Sequence, residues 1–137
     1  MNTNPIYIVD DDMDDHAIIS EIMLELDVKN EVRFFLSAES VLEELKSGII
    51  TPFIIISDIH LPKMDGFELR EKILEESALK KKAIPFIFWS TTASDQQIRR
   101  AYELSAHGFF LKAKTFPDVK KELQEIIQYW TASLAPQ

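Results

Sequence analysis

Residues 53–57 read Phe-Ile-Ile-Ile-Ser, and Asp58 follows directly. An apolar run with no polar alternation buries both faces of a strand, which marks the centre of a parallel sheet. Strand-like runs and helical patterns alternate outward from it. "IYIV" (residues 6–9) precedes a helix with Ile18, Ile22 and Leu26 spaced at i, i+4. "VRFFL" (32–36) precedes a helix that Ser37 can cap, with Val41, Leu42 and Leu45 facing inward and Gly48 as its stop. After "FIIIS" come a loop and a helix from about Gly66 to Ser77, with Leu69 and Ile73 in phase. "IPFIFWS" (84–90) precedes a helix around Asp95 to Ser105. "GFFLK" (108–112) precedes a last helix carrying Phe116, Val119, Leu123, Ile126 or Ile127, and Trp130. Five βα units joined by right-handed crossovers predict an α/β fold, an open doubly wound parallel sheet with five helices on its two faces.

The totals fit that reading. A chain of 137 residues with 46% apolar residues can bury a real core. It contains no cysteine, which excludes disulfides, zinc–thiolate sites and thiol nucleophiles. A formal charge of −8 opposes binding to nucleic-acid phosphates. The start, "MNTNP", has no cationic stretch before a long apolar core, and no apolar run is long enough to span a membrane. A soluble, cytoplasmic protein is expected, without repeats or linkers and with "TASLAPQ" (131–137) as a tail.

Ligands of such sheets bind beyond the carboxyl ends of the strands. Asp10 and Asp11 follow the first strand there and Asp58 the third, while Ser90 ends the fourth and Lys112 the fifth. Close carboxylates repel one another and call for a cation, and an all-oxygen set suits a hard ion such as Mg²⁺. A carboxylate beside that ion can attack phosphorus and form an aspartyl phosphate, with a lysine neutralising the phosphoryl oxygens. No glycine-rich nucleotide loop is present. Read alone, Asp10 and Asp11 would also suit a helix N-terminus, as Asp12 and Asp14 do. His60 reads as an exposed loop residue, His16 and His107 as surface residues, and Trp89 and Trp130 as packing residues.

Together, "IVDDD", "SDIHLPKMDGFEL", "PFIFWST" and "GFFLK" resemble the receiver domain of two-component response regulators, over about residues 5–131. The resemblance implies a single receiver domain over residues 1–137 and a flavodoxin-like strand order 2-1-3-4-5. It implies a phosphorylation-dependent switch that turns over no substrate and takes a phosphoryl group from a sensor histidine kinase or phosphotransfer protein of a phosphorelay. Carried over by position, Asp58 is the phosphoacceptor. Asp11 binds Mg²⁺ directly, with Asp10 beside it and the backbone carbonyl of His60 as a further ligand. Ser90 takes the switch hydroxyl position, Phe109 the switch aromatic position and Lys112 the lysine position. Ala113 departs from the proline usual after that lysine. A cis bond there costs about 2.5–4 kcal/mol without proline, so a trans bond is expected. Phe109 lacks the hydroxyl of the frequent tyrosine, and His60 is an uncommon neighbour of the acceptor. "KKKAIPFIFWSTTASDQQI" (80–98) is similar to small stand-alone receivers partnered with phytochrome-type kinases.

Two other classes compete. A phosphohydrolase of the haloacid-dehalogenase kind also uses an aspartate nucleophile, but "SDIHL" lacks its second aspartate. A flavin carrier of similar architecture needs a hydroxyl-rich phosphate loop where this chain has five aspartates. For output, the expectation is the face made by the fourth helix, fifth strand and fifth helix, with Arg99, Arg100, Tyr102, Lys120, Tyr129 and Leu134. That face would meet a kinase partner or form a homodimer.

Overall fold

The computed structural model describes residues 3–133. The run at 54–57 forms β3 (Ile54–Ser57), every residue of it buried. It lies between β1 (Ile6–Val9) and β4 (Phe86–Ser90), with β2 (Val32–Phe35) and β5 (Gly108–Leu111) at the edges. All pairings are parallel and the order is β2-β1-β3-β4-β5. In register, Val9 faces Ser57 across β1 and β3, and Ser90 faces Leu111 across β4 and β5. All the strands therefore end at one edge, and the residues that follow them gather there.

Strand side chains alternate between faces, and two cores result. Tyr7, Val9, Ile55, Phe86 and Phe88 pack with residues of α2 (Ala38–Ser47), α3 (Gly66–Glu75), α4 (Ser77–Lys82) and α5 (Asp95–Glu103). Ile6, Ile8, Ile54, Ile56, Ile87 and Trp89 pack with residues of α1 (Met13–Glu25) and α6 (Phe116–Ala132). Side-chain oxygens of Asp12, Ser37, Asp65, Ser94 and Thr115 cap α1, α2, α3, α5 and α6, and Gly48 closes α2 at φ 69°.

The structure departs from the sequence reading in three places. The described residues form six helices rather than five. The expected third helix breaks at Glu76, whose backbone is extended, and α4 restarts on a new axis. The restart drives Leu79 into the core and leaves Lys80, Lys81 and Lys82 at the helix C-terminus, where the dipole favours cations. On α1 the buried stripe is His16, Ile19, Ile22 and Met23, and Ile18 is exposed. His16 is thus no surface residue. Its ring stacks on Phe34 at 4.5 Å, and Nε2 donates to the Asp10 carbonyl at 2.6 Å. A histidine at this spacing is apolar enough to share a core stripe once its N–H finds an acceptor.

His107 is exposed as a residue, but its ring is engaged. Nδ1 accepts from the Phe86 N–H at 3.0 Å, and the ring meets Trp130 edge-on. Burial of the ring and then the nearby Arg70 charge hold its pKa below the usual 6.5. A base with a depressed folded pKa binds fewer protons folded than unfolded, so stability falls as pH drops through the unfolded value. Wild type is expected to lose stability between about pH 7.5 and 5.5, and His107→Gln to lose less. Urea unfolding at the two pH values checks this, and parallel losses would overturn it.

Gly66 opens α3 directly under the loop that follows β3. A Cβ there would lie 2.2 Å from the Asp58 carbonyl oxygen, a backbone atom that cannot step aside cheaply. The Gly66 N–H donates to the Ile59 carbonyl at 2.8 Å, which ties the loop to the helix. Gly66→Ala is expected to cost about 1–3 kcal/mol by overpacking. A thermal melt measures it, and an unchanged midpoint would show that the loop yields freely.

Candidate functional site

The edge formed by the strand ends carries Asp10, Asp11, Asp58, Ser90 and Lys112. One carboxylate oxygen from each of Asp10, Asp11 and Asp58 lies within 4.8 Å of the others. Asp10 is only 2% exposed. Its Oδ1 accepts from the Asp12 N–H at 2.9 Å and its Oδ2 from Lys112. Asp11 is exposed and lines an open cleft with His60, Lys63 and Arg100. The Asp58 side chain is 11% exposed, and its Oδ1 accepts from the His60 N–H at 3.2 Å. Three clustered oxygens with one side open could hold a divalent cation.

Lys112 enters from β5. The Lys112 N–H donates to the Ser90 carbonyl at 2.7 Å and the Ala113 N–H to Glu122 Oε1 at 2.8 Å. The peptide bond between them is trans, as expected. Its Nζ donates to Asp10 Oδ2 at 2.9 Å, Asp58 Oδ2 at 3.1 Å and Asp15 Oδ2 at 3.2 Å. Nζ also stands 5.4 Å from the centroid of the Trp89 ring, and the Trp89 indole donates to the same Glu122 oxygen. Burial by itself would lower the Lys112 pKa. The Asp10 hydrogen bond and the charges of Asp58 and Asp10 outweigh it, and the ammonium is held above its ordinary range.

Ser90 is fully buried at the end of β4, and its Oγ accepts from the Thr92 N–H at 3.3 Å. Phe109 is half-buried and packs on the α2–α5 side of the sheet, its ring 6.3 Å from that of Phe88. The His60 ring is part of a hydrogen-bond chain. Thr92 Oγ1 donates to Gln97 Oε1 at 3.1 Å, so His60 Nε2 is the donor to Thr92 Oγ1 at 2.9 Å. Gln97 also accepts from the Ser94 N–H at the start of α5.

The sequence reading missed Asp15, His16 and Glu122. Asp15 was one acidic residue among five, and only the first turn of α1 swings it onto Lys112. Burial of Asp15, and then the adjacent Asp10, raise its carboxyl pKa, with Lys112 pulling the other way. Arg100 and Lys120, expected on the output face, are engaged elsewhere. Arg100 pairs with Glu71 on α3 and Lys120 with Glu25 on α1. Leu134 lies outside the described residues.

The model of the "Response regulator receiver domain" matches residues 6–124. The chain is 28% identical to the "Probable methanogenesis regulatory protein FilR2" of Methanothrix harundinacea, over 91% of this chain and 82% of that one. It is 26% identical to "Response regulator Rcp1" of a Synechocystis strain, over 91% and 87%. The Mn²⁺-bound form of Rcp1 superposes with a TM-score of 0.85 over 97% of this chain and 99% of that one, at 23% identity. A phosphorylated cyanobacterial phytochrome response regulator, RcpA, superposes at 0.89 over 99% and 100%, also at 23% identity. At that identity the superpositions speak for the fold, and the family match covers most of the chain. The chain belongs to the response regulator receiver domains of two-component signalling.

Proposed function

We propose that this receiver accepts a phosphoryl group on Asp58, from the phosphohistidine of a sensor kinase or phosphotransfer protein, with Mg²⁺ as its cofactor. The observation that carries this is the pairing of three clustered carboxylates with one buried lysine at the strand ends. An oxygen of Asp58 attacks phosphorus as the phosphorus–nitrogen bond of the donor breaks, and the electron pair leaves with the imidazole. Asp10, Asp11 and Asp58, with the backbone carbonyl of His60, would hold the cation. When bound, it supplies positive charge to the phosphoryl oxygens. Lys112 would supply the second positive charge.

The product is a signal and not a released compound, so the whole domain would act as one receiver unit with two states. Ser90 and Phe109 would link the site to the face of α5, β5 and α6. Tyr102, Leu111 and Tyr129 are exposed on those elements at 56%, 53% and 65%, which suits contact with a kinase partner or a second copy. No helix among the described residues is long and apolar enough to cross a membrane.

Two measurements test the reading. Millimolar Mg²⁺ is expected to raise the melting midpoint, because it binds the folded site and not the unfolded chain. At about 100 times its dissociation constant a ligand adds about 2.7 kcal/mol. Asp11→Ala should remove most of the shift, and equal midpoints with and without Mg²⁺ would count against the site. Acetyl phosphate with Mg²⁺ should add one phosphoryl mass to wild type and none to Asp58→Asn. An undiminished adduct in Asp58→Asn would move the acceptor to another residue.

A further inference from the structure

Lys112 has three N–H donors, and each is given to a different carboxylate. Two of these acceptors, Asp10 and Asp58, belong to the acidic trio that can hold a cation. The third, Asp15, lies outside that trio. It comes from the first turn of α1, and its side chain is 34% exposed. The Lys112 side chain, 10% exposed, is fixed on another side by the Trp89 ring.

We infer that Asp15 is a positioning residue for Lys112, the carboxylate that keeps its ammonium aimed at Asp58 once a cation has engaged Asp10. This rests on the proposed function. A cation drawing on Asp10 and Asp58 weakens both as acceptors for Lys112, since each carboxylate oxygen then shares its charge with the metal. A flexible four-carbon stem with two of its three partners weakened would lose its direction. Asp15 does not face that competition. It holds Nζ from the α1 side while Trp89 bounds it, and the donor released by Asp58 remains available to an incoming phosphoryl oxygen. Phosphoryl chemistry tolerates little misplacement of such a charge. Asp15 reaches Asp58 through Lys112, whose Nζ donates to both.

The test uses the full chain with Trp130→Phe, which leaves Trp89 as the single indole beside Lys112. Asp15→Asn is expected to lower the rate of phosphoryl loading from acetyl phosphate at saturating Mg²⁺ about tenfold, and Asp15→Glu to recover most of it. Mg²⁺ affinity, titrated through Trp89 emission, should change by less than about threefold. The emission of the Mg²⁺-saturated protein should differ between wild type and Asp15→Asn, reporting the displaced ammonium without any phosphoryl group. In a Lys112→Ala background, Asp15→Asn should have no further effect on loading. Wild-type loading by Asp15→Asn overturns the inference, as does a full additional loss in the Lys112→Ala background. A tenfold loss of Mg²⁺ affinity also overturns it, because Asp15 would then act on the cation. If wild type itself takes no phosphoryl group, the proposed function fails, and the Trp89 emission still decides the placement of Lys112.

Discussion

The ammonium of Lys112 is the charge on which the site depends. Asp10, Asp15 and Asp58 would repel one another in a partly dry cluster, and Lys112 is within hydrogen-bond distance of all three. Its bonds close sequence separations of 102, 97 and 54 residues. They therefore form only when β1, β3 and β5 are in register. A buried lysine with its partners removed would be costly, and so would the carboxylates without the lysine. The site and the sheet thus stabilise each other, and the remaining excess of negative charge is what makes a divalent cation welcome there.

Most of the sheet was legible because burial on both faces writes itself into the sequence. Ile54, Ile55 and Ile56 run on without polar alternation before Ser57 ends the strand, and Ser37 and Gly48 punctuate α2 as its caps. The α1 stripe was legible only in part. Its first turn is acidic and its buried set includes a histidine, so counting apolar residues placed Ile18 inside and His16 outside. The break at Glu76 left no proline or glycine behind. It is a tertiary effect, set by where Leu79 can reach the core.

The site was legible at the strand ends and opaque on the helix. Residues that follow a strand inherit its direction, so Asp10, Asp11, Asp58 and Lys112 could be gathered by topology alone. Asp15 reaches the same place from a helix turn. Its direction depends on the pitch and tilt of α1, which no short pattern encodes. Glu122 was hidden for the same reason. It sits on α6 among surface-type residues, yet it binds both the Trp89 indole and the amide beside Lys112.

The two ends of α5 are attached by bonds of different strength. At the C-terminal end, the Arg70 guanidinium is buried and donates to the carbonyls of Leu104 and Ser105, both at 3.0 Å, while it lies over the Phe86 ring. Burial lowers its pKa, yet an arginine stays charged, so breaking these bonds would strand a buried cation. The N-terminal end is held by the chain of polar side chains from His60 through Thr92 to Gln97, near the surface. Such bonds contribute about 0.5–1.5 kcal/mol each. His60 is also bonded through its backbone to Asp58. A change of charge or bulk at Asp58 therefore acts first on the weaker attachment. The end of α5 near Asp58 is thus the more weakly attached of the two, and the Arg70 end the more firmly held.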